Sequence, residues 1–134
     1  MIIPDFIIVD NDSQSALSAK RIINITYPTA AVLIFSRLQS VEEFLQSSRT
    51  NLVIFLNVNM NNGAGWKFLE NMRKIGRTLN SRIKLYLLSE PLTEGEKDRA
   101  WDNPLVHNCI EKPLSHWKIA TLEIDESVKT QWYT

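Results

Sequence analysis

Polar side chains that could do chemistry stand where short apolar runs of the sequence end. Asp10-Asn11-Asp12 ends the first run, Asn57-Val58-Asn59-Met60 the third, Leu88-Ser89-Glu90 the fourth and Glu111-Lys112-Pro113 the fifth. The Lys112 ammonium and the Ser89 hydroxyl could hold an anionic ligand, or Lys112 could form a salt bridge with Asp10. We expect the salt bridge and keep the anion site as the alternative.

These side chains can meet only in a fold that brings the ends of distant runs together. The runs of strand length are Phe6–Asp10, Ala30–Phe35, Leu52–Asn57, Ile83–Leu88 and Val106–Ile110. Strands that are apolar on both faces must be covered on both faces, and strands separated by helices usually pair in parallel. The sequence therefore predicts an α/β fold, a doubly wound five-stranded parallel sheet with helices on both faces. Such a sheet places ligands beyond the carboxyl ends of its strands.

The segments between the runs have the apolar spacing of amphipathic helices. The predicted apolar stripes are Val41, Phe44 and Leu45 in the second helix, Phe68, Leu69, Met72, Ile75 and Leu79 in the third, and Trp117, Ala120, Thr121, Ile124 and Val128 in the fifth. The fourth helix, within Leu92–Trp101, has few apolar residues and should be short.

Polar residues also indicate where helices begin. Ser40 with Glu43 and Thr93 with Glu96 have the spacing of capping boxes, which predicts the starts of the second and fourth helices. Asp12 could be a displaced catalytic carboxylate, but one residue beyond a strand end we expect it to cap the first helix.

The composition excludes several classes of protein. The 134 residues carry 15 Lys plus Arg and 15 Asp plus Glu, and this zero net charge argues against a non-specific binder of nucleic acid or anionic membranes. The apolar runs are far shorter than the about 20 residues of a membrane helix, and no secretory leader is visible. The single cysteine, Cys109, cannot form an internal disulfide, which favours a reducing cytoplasm. We expect a cytoplasmic single-domain protein with no nucleic-acid or membrane partner.

At its strand ends the sequence resembles the receiver domain of bacterial two-component response regulators, of the chemotaxis-regulator type. The resemblance runs from about Asp5 to the last helix and implies a flavodoxin-like (βα)5 receiver topology. It implies a receiver-like domain over residues 1–125, with 126–134 as the end of the last helix and a short C-terminal tail.

The resemblance assigns a family role to each polar position. In the family the first strand ends in two acidic residues that hold Mg²⁺, the third in an aspartate that accepts a phosphoryl group, the fourth in Ser or Thr and the fifth in Lys-Pro. The matching positions here are Asp10, Asn11, Asn57, Ser89, Lys112 and Pro113. The proline usually follows a cis peptide in the family. The acceptor loop keeps the family's methionine and glycine as Met60 and Gly65, but its aspartate is replaced by Asn57.

Two asparagines at acidic positions change the expected chemistry. Phosphoryl transfer to a receiver needs an anionic carboxylate nucleophile, so Asn57 is not expected to be phosphorylated. The metal positions would be Asp10, Asn11 and the backbone carbonyl of Asn59, with a single anionic side chain. We therefore expect Mg²⁺ binding to be weak or absent, and no other cofactor.

The resemblance also implies a contact surface. In receivers the fourth helix, fifth strand and fifth helix form the face for dimerisation and partner docking, where Trp101, Cys109 and Trp117 would lie. The alternative for Trp117 is that it fills the edge of the core. Cys109 takes the position of an aromatic switch residue, and we expect an inert, partly buried thiol there. The asparagines at 57, 59, 61 and 62 are expected to form a loop that tolerates left-handed conformations.

Together these observations predict a stand-alone, degenerate receiver domain of two-component or phosphorelay signal transduction, without enzymatic activity. Its partner would be a sensor kinase or another signalling protein, with a homodimer through the fourth helix–fifth strand–fifth helix face as a further possibility. A related reading makes the chain a decoy that still binds a sensor kinase. The alternative from another class is a small anion-binding or enzymatic flavodoxin-like domain that uses the strand-end pocket.

Overall fold

Strands and helices alternate along the chain in a computed structural model, which describes residues 5–48, 50–75 and 82–122. The strands are β1 (Asp5–Val9), β2 (Val32–Phe35), β3 (Leu52–Leu56), β4 (Ile83–Ser89) and β5 (Val106–Glu111). The helices are α1 (Ser13–Thr26), α2 (Leu38–Ser47), α3 (Met60–Ile75), α4 (Glu94–Trp101) and α5 (His116–Ala120). Each predicted strand is present, with ends that differ from the apolar run by at most two residues.

The strands form one parallel sheet in the order β2-β1-β3-β4-β5. This confirms the predicted doubly wound α/β fold with flavodoxin-like topology. The strand order reverses at β1, which has β2 on one side and β3 on the other. Val9 and Leu56 are register partners, so the residues after them, Asp10 and Asn57, leave the sheet side by side.

Helices cover both faces of the sheet, as strands that are apolar on both faces require. On one face α2, α3 and α4 pack against alternate strand residues such as Ile7 and Ile54. On the other face α1 and α5 pack against Phe6 and Phe55. The predicted inner faces of α2 and α3 are confirmed by the burial of Val41, Leu45, Phe68, Leu69 and Met72.

The predicted start of α2 was wrong. The helix begins at Leu38, and its N-cap residue Arg37 makes no side-chain cap hydrogen bond, so Ser40 and Glu43 lie inside the helix. Leu38 packs against the same core cluster as Val41, and this apolar contact extends the helix by a turn before the predicted box. The Thr93–Glu96 capping box of α4 is confirmed, with both of its hydrogen bonds formed.

The apolar stripe predicted for the fifth helix was also wrong. Ile119 and Leu114 are the buried residues of this region, whereas Trp117 and Ala120 are exposed. The helix begins after its Ser115 cap, and with this start Ile119 is the helix residue that is buried against the sheet. The side chain of Ile75 and the stripe residues Leu79, Ile124 and Val128 lie outside what the structure describes.

None of the helices among residues 5–48, 50–75 and 82–122 is long and apolar enough to cross a lipid bilayer.

Candidate functional site

The sheet itself fixes the backbone of the site at the ends of β1 and β3. The Asp10 N–H donates to the Phe35 carbonyl at 3.0 Å, and the Asn57 N–H donates to the Val9 carbonyl at 2.9 Å. On the far side of β3, the Lys112 N–H donates to the Ser89 carbonyl at 2.8 Å. These bonds continue the parallel ladder one residue past the strands, which brings the three predicted strand-end positions to one edge of the sheet.

The Asp10 carboxylate is the centre of the site, and three donors surround it. Lys112 Nζ lies 2.6 Å from Oδ2, whereas the Asn57 side-chain amide at 3.2 Å and the Asp12 N–H at 3.0 Å both donate to Oδ1. The side chain of Asp10 is 4% exposed and that of Lys112 is 13% exposed. The expected salt bridge between them is therefore confirmed as a buried, charge-assisted hydrogen bond.

Burial and hydrogen bonding act on Asp10 in opposite directions. Burial raises the pKa of the carboxyl, but the hydrogen bonds from Lys112, the Asp12 N–H and Asn57, together with the charge of Lys112, outweigh it and lower the pKa below 3.8. Asp10 is therefore an anion at neutral pH, with the Lys112 cation against it.

The side chain of Asn57 bridges this anion and the loop that follows β3. Its NH₂ group donates to Asp10, and its Oδ1 accepts the Asn59 N–H at 3.1 Å. A neutral amide can make both contacts, whereas a carboxylate at this position would face Asp10 with a second negative charge and no proton to donate. Position 57 thus holds a neutral amide that bonds to both sides, and an amide oxygen is no nucleophile for phosphoryl transfer.

The side chain of Asn11 bonds to the start of α3. Its amide donates to Asn61 Oδ1 at 3.2 Å. Asn61 and Asn62 have φ of 51° and 58°, followed by Gly63 at 89°, so residues 61–63 form a non-helical kink near the start of α3. Two of the four asparagines thus adopt the expected left-handed conformation. Gly65 is required for lack of space, since a Cβ there would lie 2.6 Å from the backbone of Val58.

The donor set does not fit a hard divalent cation. Both carboxylate oxygens of Asp10 already accept hydrogen bonds, and Asn11 and Asn57 present neutral amides that are bonded elsewhere. The Asn59 carbonyl accepts the Gly63 N–H at 3.4 Å. Mg²⁺ prefers carboxylates and an octahedral oxygen shell. Within the described parts of the chain, no three His, Cys, Asp or Glu side chains come together as a metal-binding group.

Ser89 and Pro113, two of the predicted pocket residues, make no side-chain hydrogen bond to Asn57 within the described residues. The buried Ser89 hydroxyl donates to the adjacent Glu90 carbonyl at 2.9 Å, so it is engaged by its own backbone and not by Asn57. The Lys112–Pro113 peptide is cis, which agrees with the expectation for the family. Asp12 caps α1 by accepting the Gln14 and Ser15 N–H groups, which confirms the cap.

The three interface candidates differ in accessibility. Trp101 on α4 and Trp117 on α5 are each 65% exposed, so the alternative that Trp117 fills the core edge was wrong. Cys109 on β5 is half-buried against the core, and this burial raises the pKa of its thiol.

A contact that the sequence did not indicate joins α4 to α3, where the Arg99 guanidinium lies 4.7 Å from the ring centroid of Trp66. No spacing rule connects residues so far apart in sequence.

No family model and no curated protein matches the chain. Solved structures do match it. A response regulator receiver protein from Dyadobacter fermentans is 26% identical with a TM-score of 0.78, and the match covers 88% of this chain and 93% of that one. A two-component response regulator from Cytophaga hutchinsonii is 18% identical with a TM-score of 0.81, covering 91% and 95%.

A third match is the chemotaxis response regulator CheY4 of Vibrio cholerae, 14% identical with a TM-score of 0.72 over 90% of this chain and 95% of that one. The structural neighbours of the chain are thus response regulator receiver domains, and the fold is theirs.

Proposed function

We propose that these 134 residues act as an atypical receiver domain of two-component signalling that works by protein contact, without phosphorylation at Asn57 and without enzymatic activity. The receiver fold of the structural neighbours supports the signalling class. The absence of a carboxylate at position 57 supports the atypical mode, because an amide cannot form an acyl phosphate.

The observation that carries this proposal is the set of three protein donors around the Asp10 carboxylate. Its two oxygens accept three hydrogen bonds, and the shortest comes from the Lys112 cation. Lys112 therefore supplies the positive charge that a metal ion would otherwise bring to this carboxylate. A metal would have to compete with the Lys112 cation for this carboxylate, so we expect Mg²⁺ binding to be weak or absent.

Contact with a partner is the remaining route for a signal. Trp101 and Trp117 are large, exposed aromatic side chains on α4 and α5, and exposed aromatics are frequent anchors of protein interfaces. We propose this face as the contact surface for a sensor kinase or another signalling protein, including a second copy of the chain.

The phosphoryl part of the proposal is tested with acetyl phosphate and Mg²⁺ followed by intact-mass measurement. The natural chain should gain no phosphate. The matched variant Asn11→Asp/Asn57→Asp restores the carboxylates next to Ser89 and Lys112, and it should gain about one phosphate, because a nucleophile and a metal-binding pair are then present. A stable phosphate adduct on the natural chain, mapped to Asn57 or its neighbours, would refute the proposal.

The contact surface is tested by replacing Trp101 and Trp117 with Ser. Because both side chains are mostly exposed, the free energy of unfolding should change by no more than about 0.5 kcal/mol each. Self-association measured by sedimentation velocity, or binding to a sensor kinase measured by calorimetry, should fall. Unchanged association in a double variant that remains folded would exclude this face.

The anion-binding alternative has one observation in its favour, the position of Lys112 at the strand ends. Its ammonium is held by Asp10, and the Ser89 hydroxyl donates to a backbone carbonyl. These two groups therefore do not form a joint anion site in this conformation.

A further inference from the structure

A cavity of about 270 Å³ lies on the side of Lys112 that faces α1. The first half of α1 forms one wall with Ser15, Ser18 and Ala19, and the opposite wall comes from the end of β4 and the segment from Lys112 to Leu114. Asn57, Asn11 and Ser89 do not line it. The cavity is therefore separate from the phosphoacceptor-equivalent position, although both share Lys112.

Two serines, a glutamate and a lysine line this cavity. Lys112 Nζ has three N–H groups and donates one hydrogen bond within the described part of the chain, to Asp10. The hydroxyls of Ser15 and Ser18 make no hydrogen bond to any described residue, and the Glu90 carboxylate forms no ion pair there. A concave site with a few convergent polar groups is the usual form of a small-molecule site.

The charges around the cavity select the kind of ligand. Lys112 is neutralised by Asp10, so the exposed Glu90 leaves the lining with an excess negative charge. A simple anion such as phosphate is therefore opposed by the charge of Glu90. A molecule with a cationic group for Glu90 and oxygen acceptors for Lys112 and the serine hydroxyls matches the polar residues of this lining.

The volume of the cavity and its apolar walls further restrict the class of ligand that it could bind. The volume falls just below the about 300–1,000 Å³ of pockets for drug-sized ligands. The walls between the polar groups are aliphatic, formed by Ala19, Leu88, Pro113 and Leu114. We propose that this cavity binds a small zwitterion of the α-amino acid class, with its ammonium at Glu90 and its carboxylate at Lys112 and Ser15. Binding there does not depend on whether the chain signals as an atypical receiver.

The proposal is tested by NMR titration of the full ¹⁵N-labelled chain. The probes are glycine, L-alanine, L-serine, L-valine and L-glutamate, each added alone up to roughly 10 mM, a range that detects millimolar dissociation constants. At least one should give saturable amide shifts confined to residues 15–19, 88–90 and 112–114. Acetate, methylammonium and inorganic phosphate are the controls that carry charge of one sign only, and each should bind at least about tenfold more weakly.

Matched variants distinguish this cavity from other surfaces. Glu90→Gln should weaken the binding of the amino acid about tenfold, whereas Glu70→Gln, an exposed carboxylate on α3 across the sheet, should not change it. Ser18→Leu places a large side chain at the cavity wall and should abolish binding, whereas Ser47→Leu at the exposed end of α2 should not. Thermal unfolding confirms that each variant is folded.

Three results would overturn the proposal. They are the absence of saturable shifts with every amino acid, shifts centred outside the cavity, and tighter binding of phosphate or acetate than of any zwitterion.

Discussion

At the scale of single residues, the pairing of Asp10 with Lys112 determines what the strand-end pocket can do. Breaking a buried ion pair costs more than the pair contributes, because one charge is left uncompensated. The side chains of Asp10 and Lys112 are both largely buried, and Lys112 Nζ lies 2.6 Å from Asp10 Oδ2. The stability of the fold and the chemistry of the pocket therefore depend on the same two side chains.

The first prediction concerns the removal of the cation. Lys112→Met keeps the length and apolar stem of the side chain but leaves Asp10 buried with neutral donors only. The free energy of unfolding, measured by urea denaturation, should fall by about 3–5 kcal/mol. The matched control Lys67→Met, at an exposed position of α3, should change it by less than about 0.5 kcal/mol. Equal effects of the two substitutions would show that the pair is not structurally important.

The second prediction concerns pH. The folded-state pKa of Asp10 lies below its ordinary value of 3.8, so ionised Asp10 stabilises the folded state above that value. This contribution is lost as the pH falls through the lower folded-state pKa. The difference in unfolding free energy between the natural chain and Lys112→Met should therefore be constant near neutrality and shrink below about pH 4. If this difference in unfolding free energy were undiminished at pH 3, it would not arise from the ionised Asp10 carboxylate.

The sequence allowed part of this residue-scale picture to be predicted. The parallel sheet places Asp10 and Lys112 at one edge, so opposite charges there predict their pairing. The rotamer of Ser89 was not predictable, because its hydroxyl can reach either the pocket or the adjacent Glu90 carbonyl. The bridge made by the Asn57 amide depends on where the Asn59 N–H points, which sequence patterns do not encode.

At the scale of elements, the first turns of α3 pack closely against the backbone that follows β3. The Cβ of any residue larger than glycine at position 65 would lie 2.6 Å from Val58 backbone atoms. Such a contact requires the helix start or the strand end to move, and strain of this kind costs about 1–3 kcal/mol.

The third prediction follows from this contact and has an internal control. Gly65→Ala should lower the free energy of unfolding by about 1–3 kcal/mol. Gly95→Ala, inside α4 with nothing within 4 Å of its added Cβ, should raise it by up to about 1 kcal/mol, because alanine favours a helix. Chemical denaturation of both variants gives the comparison. Destabilisation of the same size at both positions would contradict the proposed contact.

Helix boundaries were predictable where a local hydrogen bond decides them and not where packing does. The Thr93–Glu96 box sets the start of α4 by itself, since α4 has few apolar contacts. Ser40 and Glu43 have the same spacing, but Leu38 contacts the core and the helix begins there. The orientation of α5 was missed for a similar reason, since burial of Ile119 places Trp117 in solvent.

At the scale of the whole molecule, topology assembles the pocket from residues that are far apart in sequence. Asp10 and Asn57 are 47 positions apart, and Asp10 and Lys112 are 102 apart. The alternation of apolar runs and amphipathic segments was enough to predict the sheet and the strand ends that meet. Contacts between helices, such as that of Arg99 with Trp66, depend on side-chain packing and were not predictable.

The proposed function requires that the strand-end pocket, where Lys112 and Asn57 donate to Asp10, respond neither to a divalent cation nor to a phosphoryl group. A direct test is to add Mg²⁺ with beryllium fluoride, a mimic of a phosphoryl group on a carboxylate, to the ¹⁵N-labelled chain. We predict that the amide resonances of Asp10, Asn57, Ser89 and Lys112 stay unshifted, whereas those of Asn11→Asp/Asn57→Asp move. Saturable shifts at these four residues in the natural chain would contradict the claim.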